Sequence, residues 1–257
     1  MSSSGSTPAP RVHARSPDVG RRWVTAAGTI RAIAEIDPDV AARIFGSRDA
    51  IALGGWPGAT TGRSWASSTR FTEDVANDTI PDDLQVAMYD PEHWDATPLD
   101  EQLDPHTSIE TFGTLARSKG YTVLITPHPN LVSVPGSPLA PEDGERRESA
   151  YLRSGIAEVA AANADVIETQ AQTLQGDPDR YRAFVAETVR IARATKRDIQ
   201  VLSGLSTHPG YPATVAMLRN AWMSVRDVVD GHYLSLARLR LPEVATAFLA
   251  ETVTTDP

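Results

Sequence analysis

The chain has 257 residues, a net charge of −9, a pI near 5.1 and no cysteine. An apolar share of 41% and a charged share of 22% are those of a globular protein that buries a sizeable core, and the length suits one large α/β domain. The acid excess, without any basic stripe, argues against a nucleic-acid partner, and the missing thiols exclude disulfides, thiolate metal sites and cysteine nucleophiles.

Residues 1 to 20, "MSSSGSTPAPRVHARSPDVG", are rich in Ser, Pro and Arg and carry no apolar run. They are expected to form a disordered tail rather than a secretory signal, with residues 21–257 as a single domain. Nothing approaches the ~18 apolar residues of a membrane span. The cytoplasm is the expected location and a small molecule the expected partner; the oligomeric state is left open.

Strand-like runs follow at 50–56, 84–90, 121–127, 164–172, 198–206 and 231–237, starting 33 to 43 residues apart. Helical patterns follow most of them, at 107–118, 149–164, 177–196, 212–230 and 241–253. This is the rhythm of repeated βα units, which build a parallel sheet. Polar residues end strand after strand, as a ring of sites at a C-terminal mouth requires, so a (β/α) TIM-like barrel is the expected fold. The alternative is an open doubly wound parallel sheet, which gathers its site at one switch point. Eight full units need more chain than these runs supply. Either "RWVTAAG" (22–28) adds a strand or the barrel is short or irregular. Two long connections, 57–70 and 128–148, leave the C-terminal side of strands and are expected to be loops at the mouth.

The run "LQVAMYDPEHWD" (84–95) begins like core and ends in acid. If Val86 and Met88 point inward, strand alternation sends Asp90 inward too, and Glu92 with it if the chain stays extended. Pro91 disfavours the α region at Asp90, which helps keep it so. Two carboxylates in one mouth raise each other's pKa toward the range of a general acid. In "VIETQAQ" (166–172), Val166, Glu168, Gln170 and Gln172 share one face. A carboxylate and two amides in a core are costly without partners, but they suit a polar pocket wall. Glu168, Asp90 and Glu92 are therefore the candidate catalytic residues. Trp56, Tyr89, His93, Trp94, Thr126, His128, Gln170, Gln172 and Ser203 are the candidate substrate contacts; Ser206, Thr207, His208 and Ser235 also stand at strand ends. The aromatic members suit stacking on a sugar face or a cationic centre.

Other motifs fall away. "GATTGRS" (58–64) has the wrong glycine spacing for a phosphate loop and puts Arg63 where lysine belongs. No dinucleotide-binding glycine pattern and no paired-histidine metal motif occurs, so no cofactor or metal is expected.

Acidic residues at two strand ends with tryptophans beside them resemble the glycosidase-type (β/α) barrels, over residues 50 to about 237. That resemblance implies a hydrolase in which a carboxylate pair at the mouth cleaves a glycosidic bond. The run "ADVIETQAQTLQGDP…VLSGLSTHP" is also similar to a group of uncharacterised bacterial barrel proteins. Two further readings stand beside the hydrolase: a lyase, isomerase or cyclase of small-molecule metabolism using the same carboxylates, and a barrel that binds a ligand without turnover.

Overall fold

In a computed structural model, which describes residues 22–255, eight parallel strands pair in sequence order and close into a barrel. They are β1 (Arg22–Ala26), β2 (Ile51–Leu53), β3 (Thr60–Trp65), β4 (Val86–Tyr89), β5 (Thr122–Ile125), β6 (Val166–Thr169), β7 (Gln200–Ser206) and β8 (Gly231–Ser235). Helices α1 (Ala27–Ile36) and α2 (Pro38–Phe45) follow β1, and α3 (Ser68–Ala76) follows β3. Then come α4 (Leu99–Leu103) and α5 (Pro105–Ser118), α6 (Arg147–Arg153) and α7 (Ile156–Asn163), α8 (Pro178–Thr195), α9 (Val215–Val225) and α10 (Pro242–Thr255). The chain is a (β/α)8 TIM-like barrel. The tail expected at residues 1–20 lies outside the described residues. Among the described residues no helix is long and apolar enough to cross a membrane.

Two strands complete the eight. The N-terminal run supplies β1, paired with both β2 and β8. The other, β3, lies inside the segment expected to be a mouth loop, and that expectation is corrected here. Residues 54–59 alone return the chain from the top of β2 to the base of β3, with no helix between. Gly54, Gly55 and Gly58 take φ of 94°, 81° and 88°, values open to glycine at no steric cost. A Cβ on Gly62 would lie 2.9 Å from Leu53 and 3.1 Å from Ile51, so the barrel interior also dictates that glycine.

Asp-Pro pairs mark helix starts. Asp37, Asp104 and Asp177 cap α2, α5 and α8 by accepting from backbone N–H groups two or three residues on, with proline in the first turn. The expected helix over 149–164 is broken at Gly155, whose φ of 78° ends α6 and starts α7 in a new direction.

Alternation along the strands builds two cores. Val24, Ile51, Val86, Met88, Leu124, Val166 and Leu202 plug the barrel interior. Their neighbours of opposite parity, among them Trp23, Tyr89, Val123, Ile125, Ile167, Val201 and Leu234, pack under the helices with Phe71, Phe112, Phe184 and Phe248. Each fully buried side chain of this size contributes about 1.5–3 kcal/mol. The interior plug is the floor on which the polar residues stand.

Candidate active site

Above the plug, the inward positions change from apolar to polar. On β4 the alternation that buries Val86 and Met88 carries on to Asp90, whose backbone N–H still bonds to Trp65 of β3. Asp90 Oδ1 accepts from Thr126 Oγ1 at 2.7 Å and from Gln170 Nε2 at 2.8 Å. Gln170 Nε2 also reaches the Thr126 carbonyl at 2.6 Å. One carboxylate oxygen is thus fixed from the C-terminal ends of β5 and β6, which follow β4 in order round the barrel.

Glu168 stands on β6, buried to 2% exposure, and accepts from Gln172 Nε2 at 3.2 Å. The strand ends at Thr169 and Gln172 opens a short 3-10 turn, yet its amide folds back onto the carboxylate. Opposite, on β7, a Cβ at Gly204 would lie 2.3 Å from Glu168 Oε1 and 2.7 Å from the Gln172 amide. The missing side chain of Gly204 is the space that the Glu168 carboxyl occupies.

Electrostatics follow from this crowding. Burial pushes Asp90 up to about 6, opposed by its bonds from Thr126 and Gln170. Burial and then the charge of Asp90 push Glu92 up to about 8. Burial, then Asp90, then Glu92 hold Glu168 well above the usual carboxylate range. No cation figures among the causes for any of the three. Asp90 at about 6 and Glu92 at about 8 straddle neutral pH, so a proton acceptor and a proton donor can stand side by side there. Among the described residues no three His, Asp or Glu side chains lie close enough together to hold a metal ion.

The remaining candidates divide. Thr126, Gln170 and Gln172 join the carboxylates, as above. His128 follows β5, its N–H bonded to the Pro91 carbonyl at 3.1 Å, and His93 N–H is held by Asn130 Oδ1 at 2.9 Å. Those two bonds tie the β4 and β5 loops together. His93 itself is exposed, and Trp94, 44% exposed with its indole N–H on Thr97, lines a separate hollow of about 460 Å³ with Pro98, Leu99 and Gln102. Trp56 is partly buried against the outer core. Tyr89 has the opposite parity to Met88 and Asp90. It faces the helices, stacks on Phe112 at 4.9 Å and donates to Glu101 at 2.8 Å. Ser203 likewise faces outward and pairs with His232 Nδ1 at 2.8 Å. Neither Tyr89 nor Ser203 reaches the mouth, contrary to the expectation for both.

Two residues at the mouth escaped the sequence reading. Tyr233 packs against the interior plug, and burial first, then Glu168, Asp90 and Glu92, raise its phenol well above the ordinary value. Its signal was available, because it shares a face with Ser235, two residues on. Gln175 is fully buried and clamps Ser206 through both backbone groups, at 2.6 and 3.0 Å. No pattern in the sequence announces that clamp.

No family model matches the chain, and no curated protein matches it. Among solved structures it is similar to a protein of Bacteroides thetaiotaomicron assigned as an alpha-L-fucosidase, at 11% identity and a TM-score of 0.46, over 73% of this chain and 60% of that one. It therefore spans less than two thirds of that structure's length. It is also similar to the catalytic domain of a family GH18 chitinase from the fern Peteris ryukyuensis, at 14% identity and a TM-score of 0.46, over 80% and 72% of the two chains. The hydroxymethylglutaryl-CoA lyase of Pseudomonas aeruginosa stands at 12% identity and 0.46, over 84% and 76%.

Proposed function

We propose that the protein is a cofactor-independent barrel enzyme that moves protons with the carboxylates of its mouth, as a hydrolase of the glycosidase type. The observation that carries this is the set Asp90, Glu92 and Glu168, buried near enough to raise one another and pushed up to different degrees with no cation among the causes. Unequal pKa values on neighbouring carboxyls assign acid and base. Glu168, protonated, gives its proton to the leaving oxygen. Asp90, held at Oδ1 by Thr126 and Gln170, presents Oδ2 to a water or to the sugar carbon. Glu92 is the alternative to Asp90 in that role.

The test is hydrolysis of a panel of methyl glycosides, whose alkoxide leaving group needs a proton, by the wild type and by Glu168→Gln. Turnover in the wild type should fall by about 10²–10⁴-fold in the variant, the range for a lost general catalyst. Equal turnover by the two proteins would remove Glu168 from the chemistry.

One observation favours a second reading. The rings expected to stack on a sugar are elsewhere: Tyr89 is under the helices, Trp56 against the outer core and Trp94 in its own hollow. Tyr233 is the aromatic side chain facing the carboxylates. That arrangement suits a lyase, isomerase or cyclase acting on a smaller molecule. Deuterium entering carbon positions of small hydroxy or keto acids incubated with the protein in D₂O would favour it. Failure of both assays would leave a barrel that binds without turnover.

A further inference from the structure

The loop that leaves β4 carries, just past Glu92, a large apolar ring held open to solvent. Trp94 is 44% exposed, whereas Trp23, Trp65 and Trp222 are buried. Its indole N–H donates to Thr97 Oγ1 at 2.8 Å, and the same oxygen accepts the Glu92 N–H at 3.2 Å. Gln102 Nε2 donates to the carbonyls of Trp94 and Thr97, at 2.8 and 2.6 Å, and Asn130 holds the His93 N–H. The edge of the indole is thereby fixed while its face lines a hollow. One hydroxyl, that of Thr97, ties this ring to the backbone of a mouth carboxyl.

Gln102 supplies an independent observation. It lines the same hollow, whose volume of about 460 Å³ is that of an ordinary small-molecule site. It is 6% exposed, and its buried Oε1 has no hydrogen-bond partner among the described residues. Because Nε2 must donate to both carbonyls, the amide cannot turn over to satisfy that oxygen. A buried acceptor left over calls for a donor. Asp95 adds a carboxylate to the lining and Leu99 a second exposed apolar side chain. The chain's net charge of −9 disfavours an anion as the occupant. An aromatic face bordered by acceptors suits an uncharged ring with an apolar C–H face and several hydroxyl donors.

We propose that this hollow binds a neutral sugar ring, stacked on the Trp94 indole with its hydroxyls toward Gln102 and Asp95. Calling that ring part of the substrate rests on the hydrolase reading; the binding itself does not. None of Asp90, Glu92 and Glu168 lines the hollow, so the ring it holds is not the one that reacts. The substrate then has at least two units, one at the carboxylates and another at Trp94, with the Glu92 loop between them.

The test titrates the whole protein with methyl glycosides of neutral hexoses and with methyl disaccharides, and repeats the titration on Glu168→Gln to separate binding from turnover. Saturation-transfer NMR of the ligand reads binding. The indole N–H signal of Trp94, identified by its loss in Trp94→Ala, reads the place. At least one sugar should move that signal saturably, and Glu168→Gln should bind it as the wild type does. Trp94→Ala should weaken that binding by about tenfold or more, and Trp94→Tyr by less, because an aromatic face remains. A Trp94 signal that moves with no sugar would overturn the site, whether it stays still, answers only to phenol or changes only with protein concentration. So would equal binding by the wild type and Trp94→Ala. A saturable shift without turnover counts against the reaction and leaves the sugar site standing; turnover without the shift does the reverse.

Discussion

Glu92→Gln tests whether the mouth really holds its carboxyls against their charge. Burial and the adjacent Asp90 raise Glu92 from the ordinary 4.5 to about 8. In the unfolded chain the same group ionises near its ordinary value, so at pH 7 folding must keep on a proton that water would remove. A group raised in this way contributes stability that is complete below about 4.5 and lost as the pH climbs through about 8. At pH 7 the gap is about two and a half pH units at about 1.4 kcal/mol each, hence roughly 3 kcal/mol. Discounting for the part of Glu92 that solvent reaches leaves about 2 kcal/mol. Glutamine keeps the shape and cannot ionise. The variant should match the wild type in urea unfolding at pH 5 and exceed it by about 2 kcal/mol at pH 7, and by more at pH 8. Parallel curves of stability against pH for the two proteins would refute the reasoning, because Glu92 would then be ionised and solvated in the native state.

Other outcomes follow from the same geometry. Gly204→Ala places a Cβ 2.3 Å from Glu168 Oε1, so the carboxyl must move; turnover should fall steeply while the thermal midpoint drops by an amount matching about 1–3 kcal/mol of overpacking. Tyr89→Phe removes a donor to Glu101 under the helices, so it should lower stability by about 1 kcal/mol and leave turnover per folded molecule unchanged. Dialysis against a chelator should alter neither turnover nor midpoint; a loss restored by one divalent ion would turn Asp90, Glu92 and His128 into ligands.

Much of the site was legible because β4 and β6 keep a clean parity. Met88 inward carries Asp90 inward, and Val166 inward carries Glu168 and Gln170. The same rule already turned Tyr89 outward; grouping it with Asp90 by proximity overrode that rule. Ser203 was harder, since "QVLSGLS" is apolar on both faces and its parity emerges only when Gly204 is seen against Glu168. The strand β3, "TTGRSW", was hidden by polar composition and by a glycine that answers to the volume of Leu53 and Ile51. Asp-Pro was ambiguous too: at 37, 104 and 177 it starts a helix, and at 90 it ends a strand and faces the mouth.

The helix-free link between β2 and β3 bears on how the barrel assembles. Consecutive strands elsewhere in the sheet close over at least one helix, whereas these two close over residues 54–59. Closure entropy rises with loop length, by about 0.6 kcal/mol per doubling, so this pair has the smallest entropic barrier to meeting. A fold dominated by distant contacts is slow to start, and here one parallel pairing is available almost locally. The β2–β3 ribbon is thus the natural seed on which the other strands dock in turn. Gly58 belongs to that seed: a Cβ there would lie 2.4 Å from the Gly46 carbonyl oxygen, at the foot of the link. Gly58→Ala should accordingly slow folding, which stopped-flow refolding of the variant beside the wild type would read.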